Sequence, residues 1–463
     1  MSITVAPAIR PELDPEFVPA VLWNRAYRKA VADSGKGVDI TIALYRPNGT
    51  VSTMKTAILP HTAENKADNI KYAERLVKFL LWMKGGYKVA IAGCDELAED
   101  IRKIYSPDGA RAFDYKMMGE RIYGRPFEVV ALPADQAPES KEIALKLGGH
   151  LDGCRIGFDL GGSDRKCAAV IDGKVVHTEE VEWDPYFQAD PEYHRAGILD
   201  SLRRAASKLP RVDAIGGSAA GVYVDNQPRL ASLFRGVPED VFKTTVIPMF
   251  LEIQKEFNVP MIVANDGEVT ALAGAMSMES TGVIGVAMGT SLAAGYVNPN
   301  GNITDWLNEL AFTPVDYRED APADEWSGDI GCGVQYFCQQ GVGRLAKKTD
   351  MNFPADMKLP EQLIEVQKLM AAKDPRAAAI YRTIGVCFGY TIAHYCDFYE
   401  IKNVLVLGRV SSGEGGEIII DEAKRVLASE FPEYADKITF RVPDEKFKRH
   451  GQAVIAASLP ELA

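Results

Sequence analysis

Gly157-Phe158-Asp159-Leu160-Gly161-Gly162-Ser163 and, further along, Ile262-Val263-Ala264-Asn265-Asp266-Gly267 decide how this chain is read. Each begins as an apolar strand and ends in small residues that let backbone amides close around an anion. Gly285-Val286-Ala287-Met288-Gly289-Thr290-Ser291 repeats the pattern. Asp159 ends one strand beside the first glycine loop, and Asp266 sits ahead of the other loop. Phosphoryl transfer to a hydroxyl needs this set: amide cradles for phosphates, a carboxylate near a metal ion, and a carboxylate for the attacking hydroxyl. Two phosphate loops in one chain point to a nucleotide held between two lobes. Asn-Asp-Gly and Gly-Gly are also common turn sequences, so the order of the motifs carries the reading.

Working outward, 463 residues are too many for one small core, and two or three domains are expected. The formal net charge is −12, and the 52 Lys and Arg are spread without a basic block, which argues against a nucleic-acid surface. Met1 to Arg10 does not read as a signal peptide. No apolar run reaches the ~18 residues of a membrane helix. Seven cysteines without paired spacing fit a reduced, cytoplasmic protein rather than a disulfide framework.

Residues 1–150 read as a separate small α/β domain. Val38 to Tyr45 alternates as a strand, Pro47-Asn48-Gly49 makes a hairpin turn, and Val51 to Leu59 returns. Asn69 to Lys84 places Ile70, Ala73, Val77, Leu80 and Leu81 on one face of an amphipathic helix. Strands over Tyr87–Ala92 and Phe127–Leu132 flank a helix over Glu96–Ile104. From 155 the predicted order is strand, glycine loop, strand (Lys166–Ile171), Asp172-Gly173 turn and strand (Lys174–Val181). Helices are predicted over Asp190–Ser207, Val246–Phe257 and Asp374–Phe398, then a strand over Asn403–Leu407 and a closing helix over Gln452–Leu459.

The order of motifs from residue 154 onward resembles the ROK family of sugar kinases and sugar-responsive regulators, within the actin-like ATPase superfamily. Asp159-Leu160-Gly161-Gly162-Ser163 is similar to that family's first phosphate motif, D-x-G-G-T, with Ser163 for Thr. Ile215 to Asp225 resembles the strand and turn beside the sugar, Asn265-Asp266 the catalytic N-D pair, and Gly289-Thr290-Ser291 the second phosphate motif. Val404 to Gly408 resembles the strand and turn beneath the adenosine. The resemblance implies an α/β protein with a two-lobed, ribonuclease H-like actin-type ATPase fold. Lobe I would span 151–264 and lobe II 265–463, with the C-terminal helix returning to lobe I. Residues 1–150 have no counterpart in it.

The same resemblance implies the site. Asp266 would be the catalytic base, with Asn265, Glu309, Ser218 and Gly221 binding the sugar. ATP would be held by Asp159, Gly161, Gly162, Ser163, Gly289, Thr290, Ser291 and Gly408, with Mg²⁺ at Asp159 through water. A homodimer is the family's expectation. The chain also departs from the pattern. The family's E-x-G-H segment, whose His also binds a structural zinc, reads Glu309-Leu310-Ala311-Phe312 here, and its cysteine cluster is reduced to Cys332 and Cys338. Structural zinc needs four N or S ligands, so none is expected. Ser291-Leu292-Ala293 leaves less room than the family's glycine-rich second loop, and Arg409 stands where a second Gly is frequent. Trp306, Phe312, Tyr317 and Trp326 either stack on a sugar face or pack the lobe. Cys387, His394 and Cys396 are expected to be core residues of a helix.

The expected function is ATP- and Mg²⁺-dependent phosphorylation of a sugar or sugar derivative other than plain glucose, with neither membrane nor nucleic acid as partner. Two alternatives stand beside it. One is a catalytically silent protein that binds a sugar, a nucleotide or a partner. The other is a sugar-responsive transcription regulator, which would need a helix-turn-helix that residues 1–150 do not suggest.

Overall fold

In a computed structural model, which describes residues 3–145, 148–442 and 451–462, the strand Cys154–Leu160 has all seven residues buried. It is the middle strand of a five-stranded sheet in the spatial order 261–265, 214–219, 154–160, 164–171, 174–182. The first three run parallel and the rest of the pairs are antiparallel. A strand buried on both faces reads as a continuous apolar run rather than as alternation. Side chains alternate between faces. Ile156, Phe158 and Leu160 join the helices Pro191–Ala206 and Met249–Phe257 in one core. The opposite face carries Gly157, and the closing helix Gly451–Ala456 packs there. A Cβ on Gly157 would lie 1.7 Å from the Ala453 carbonyl oxygen, and one on Gly216 would lie 1.6 Å from that of Ala456. These two glycines let a helix sit directly on the sheet.

The chain divides into two compact units: residues 1–143, 286–293 and 306–440 form the first, and 144–285, 294–305 and 441–463 the second. The expected separate domain over 1–150 is corrected by this division, because residues 1–143 share a unit with much of the C-terminal half. Physical ties make them one body. Asp14, fully buried, receives Arg318, Arg344 and Lys348 at 3.2, 2.6 and 3.1 Å. Asn24 donates to the Tyr317 hydroxyl, and the Trp82 ring packs on Phe312 with centroids 4.2 Å apart.

Within the first unit a four-stranded sheet runs 51–58, 38–45, 88–92, 128–132. The predicted hairpin is present, with Val38 opposite Ile58 and Gly49 at φ 81° in its turn. The helix Lys66–Lys84 stops at Gly85, as its sequence predicts. Its expected polar face is not solvated. Glu74, Arg75 and Lys78 are all buried, and Lys78 reaches Asp114 at 2.9 Å and Asp329 at 3.2 Å. Arg75 pairs with Glu74 and Asp329, Arg111 bridges the same two carboxylates, and the Trp82 indole donates to Asp114 at 2.6 Å. The helices Pro375–Tyr395 and Glu414–Glu430 pack closely because Gly385 and Gly389 lie against the Ile419 and Ala423 backbone.

Candidate active site

Three parallel strands of the second unit end side by side, at Leu160, Ala219 and Asn265, and the chemically useful groups lie at those ends. Asp159 is opposite Ser218, whose Oγ donates to Asp159 Oδ1 at 2.7 Å. Asp159 is 5% exposed, and burial pushes its carboxyl up to about 6. Ser218 and Lys166 pull the other way, while the charges of Asp266 and Asp164 add to the rise. Asp266 also lies above the usual carboxylate range, because burial outweighs the amide hydrogen bond from Gly267. The two carboxylates are thus close enough to feel each other.

Asn265 and Ser218, expected at the substrate, each hold a neighbouring group in place. Asn265 caps the helix Asp266–Ser277 by accepting from the Gly267 amide at 2.7 Å, and its Nδ2 donates to the Gly221 carbonyl at 2.7 Å. Both polar ends are engaged in fixing where Asp266 starts its helix. Ser218 is fully buried and spends its hydroxyl on Asp159. Gly221, at φ 121°, turns the chain into the hairpin 222–230, where a Cβ would meet the Leu230 carbonyl at 2.3 Å.

The first glycine loop follows Asp159 directly. Gly161 donates its amide to the Asp164 carbonyl at 2.9 Å and accepts from the Trp183 indole at 2.8 Å. The Tyr186 hydroxyl lies where a Cβ of Gly162 would be, 2.1 Å from it, so Gly162 is required by packing as well as by any ligand. Two residues the sequence reading passed over belong here: Asp164 and Lys166. Their period-2 spacing after the loop puts both on one face of the strand, and register sets Lys166 opposite Asp159, a signal that was available.

In the first unit, Gly289, Thr290 and Ser291 make a tight turn after Met288, with the Gly289 amide donating to the Ser291 carbonyl at 3.0 Å and Thr290 and Ser291 exposed. Gly408, at φ 95°, lets the backbone approach the same strand: its Cβ would lie 2.3 Å from the Met288 carbonyl, and Val410 donates there at 3.0 Å. Just beyond lies a cavity of about 470 Å³ lined by Gln367, Met370, Tyr381, Ser412, Gly413 and Gly415 among others. Glu309 is half-buried and donates its amide to the Trp82 carbonyl at 3.0 Å.

The four aromatics all touch other rings, Phe312 and Tyr317 from buried positions and Trp326 while 59% exposed. Phe312 is buried among Trp82, Phe113 and Trp326, Tyr317 packs on Trp23, and Trp306 meets Tyr399. Cys332 is fully buried, with its thiol pointing to the Phe312 carbonyl and Asp329, and Cys338 points to the Val334 carbonyl. Among the described residues, no group of three His, Cys, Asp or Glu is arranged to hold a metal ion, and no helix is long and apolar enough to cross a membrane.

No protein-family model matches the chain, and no curated protein matches it. Solved structures do. A ROK hexokinase from Thermus thermophilus aligns over 66% of this chain and 96% of its own, with 17% identity and a TM-score of 0.52. A ROK-family transcriptional regulator, a homolog of the E. coli MLC protein, aligns over 67% of this chain and 79% of its own, with 17% identity and a TM-score of 0.53. The Lmo2764 protein from Listeria monocytogenes aligns over 66% and 97%, with 14% identity and a TM-score of 0.50. At such identities the likeness concerns the fold. Over about two thirds of its length, this chain has the two-lobed α/β fold of the ROK sugar kinases and regulators.

Proposed function

We propose that this protein transfers the terminal phosphoryl group of ATP to a hydroxyl of a sugar or sugar derivative. The observation that carries the reading is the placement of Asp159 and Asp266 at the ends of strands separated by one, with burial raising both carboxyls and the charge of Asp266 raising Asp159 further. Two carboxylates that feel each other, one buried and one half-buried, suit a site that receives positive charge and a proton.

In this reading the sugar hydroxyl attacks the terminal phosphorus, its oxygen forms the new P–O bond, and the bond to the bridging oxygen breaks to release ADP. Asp266 takes the hydroxyl proton, and its raised pKa brings it closer to the working pH of a general base. Asn265 fixes Asp266 through the helix cap. Glu309 is the proposed sugar contact from the first unit. The Gly161–Ser163 and Gly289–Ser291 turns and Gly408 are the proposed nucleotide contacts. Mg²⁺, reached from Asp159 through water, would supply charge neutralisation for the phosphates.

Plain glucose is not the expected substrate. The family's sugar-binding His is replaced by Phe312, which offers no hydrogen bond and is turned into an aromatic core. The fold also serves a transcriptional regulator, so activity decides. Screening sugars and polyols for ATP consumption by the purified protein, with Asp266→Asn as control, tests the proposal. It fails if no acceptor stimulates ATP consumption, or if Asp266→Asn consumes ATP as fast as the parent.

A further inference from the structure

The Gly161–Ser163 loop already holds an anion of its own. The Asp164 carboxylate accepts from the Ser163 hydroxyl at 3.0 Å through Oδ2 and from the Lys166 ammonium through Oδ1, while the Asp164 carbonyl takes the Gly161 amide at 2.9 Å. Hydroxyl, ammonium and amide are the donors a phosphate group would use. Here one residue of the loop engages all of them. Lys166 also lies 3.8 Å from Asp159 Oδ2. Its side chain is 18% exposed and that of Asp164 24%, so both can be reached and rearranged. The adjoining cavity, about 580 Å³, is walled by Ser163, Asp164, Glu180, Glu182, Trp183 and Asp184. That wall is acidic, and Lys166 is the cation bonded to the residue that follows the loop.

We propose that Lys166 is a phosphate-binding residue of this loop, and that Asp164 occupies its ammonium and the Ser163 hydroxyl until a phosphate chain displaces it. The proposal rests on reading Gly161–Ser163 as a phosphate loop. It adds a residue pair with opposite effects: the lysine contributes to binding and the aspartate competes with it. Displacement requires the Asp164 carboxylate to swing into solvent while Lys166 keeps an anionic partner throughout. Ligand oxygen thereby replaces the carboxylate as the partner of Lys166, and a ligand without phosphate gains nothing from the exchange.

The test is calorimetric titration of the full chain with tripolyphosphate, ATP and adenosine. Lys166→Met is expected to weaken tripolyphosphate and ATP by about 10-fold or more, the scale of one charge-assisted hydrogen bond. Lys166→Arg should keep most of the binding, and Asp164→Asn should tighten both phosphate ligands about 3- to 10-fold. Adenosine affinity should stay the same in every variant. Lys166→Met binding tripolyphosphate as the parent does would overturn the proposal. So would Asp164→Asn binding it no better, or an equal loss for adenosine, which would mark a structural role. If neither the parent nor Asp164→Asn binds tripolyphosphate, the proposal also falls. Phosphate binding that follows these rules in a protein that phosphorylates no sugar would leave this inference standing and remove the kinase reading.

Discussion

Ser218 Oγ donates to Asp159 Oδ1 at 2.7 Å across two neighbouring parallel strands, so the carboxylate at the edge of the first glycine loop is held by the sheet itself. That bond stabilises the charged form, yet burial dominates and the carboxyl sits at about 6, above its ordinary 3.8.

A stability signature follows from the raised value. The folded protein keeps a proton on Asp159 that the unfolded chain gives up near 3.8, so this contribution is fully present below that pH and is lost as pH rises through about 6. Above that, the buried charge costs about 3 kcal/mol, the distance from 3.8 to about 6. Asp159→Asn is therefore expected to melt higher than the parent at pH 8, with the difference gone by pH 4. A gap independent of pH in thermal scans would refute the assignment.

Asp266→Asn should lower kcat by about 10²- to 10⁴-fold on the best acceptor, the usual weight of a general base, with KM for that acceptor changed much less. Asn265→Ala tests the positioning role. Losing a helix cap costs about 1 kcal/mol, so the melting temperature should fall together with kcat. A variant that raises the acceptor KM and leaves stability untouched would assign Asn265 to the substrate instead.

Lys78 is fully buried between Asp114 and Asp329. Removing one partner of such a network leaves uncompensated charge and costs about 3–5 kcal/mol. Lys78→Met should therefore lower the melting temperature sharply, and adding Asp114→Asn should recover part of the loss. Additive losses in the double variant would show that the two residues do not interact.

Glucose should be phosphorylated with kcat/KM below about 10⁴ M⁻¹s⁻¹, the low end of ordinary enzymes. Phe312→His, which restores the family residue, is expected to lower stability without raising glucose turnover, since the ring sits among Trp82, Phe113 and Trp326. A gain in glucose turnover would place position 312 in the sugar pocket after all.

Much of the second unit was legible. Cys154–Leu160 and Met261–Asn265 announce themselves as apolar runs ending in Gly or Asp, and the antiparallel hairpin Asp164–Glu182 follows from the Asp172-Gly173 turn. The spacing of Ile70, Ala73, Val77 and Leu80 revealed a helix from Asn69 to Lys84, observed over Lys66–Lys84, but hid its burial. Helical periodicity reports one apolar face. It cannot report that Asp114 and Asp329, distant in sequence, neutralise the charged one. The capping role of Asn265 was hidden for a related reason: a side chain suited to bind a hydroxyl is equally suited to cap a helix, and only the helix at Asp266–Ser277 reveals the cap.

The glycine contacts beneath the closing helix have a consequence for how the molecule is made and how it can be divided. Ala453 and Ala456 rest on Gly157 and Gly216, residues far apart in the sequence, and the second unit also recruits 294–305. Its contact order is correspondingly high, which slows folding. A fragment covering 144–285 alone would carry the strands around the first glycine loop with one face of their sheet bare. Fragment complementation, supplying 441–463 in trans, is the route by which that face could be covered again.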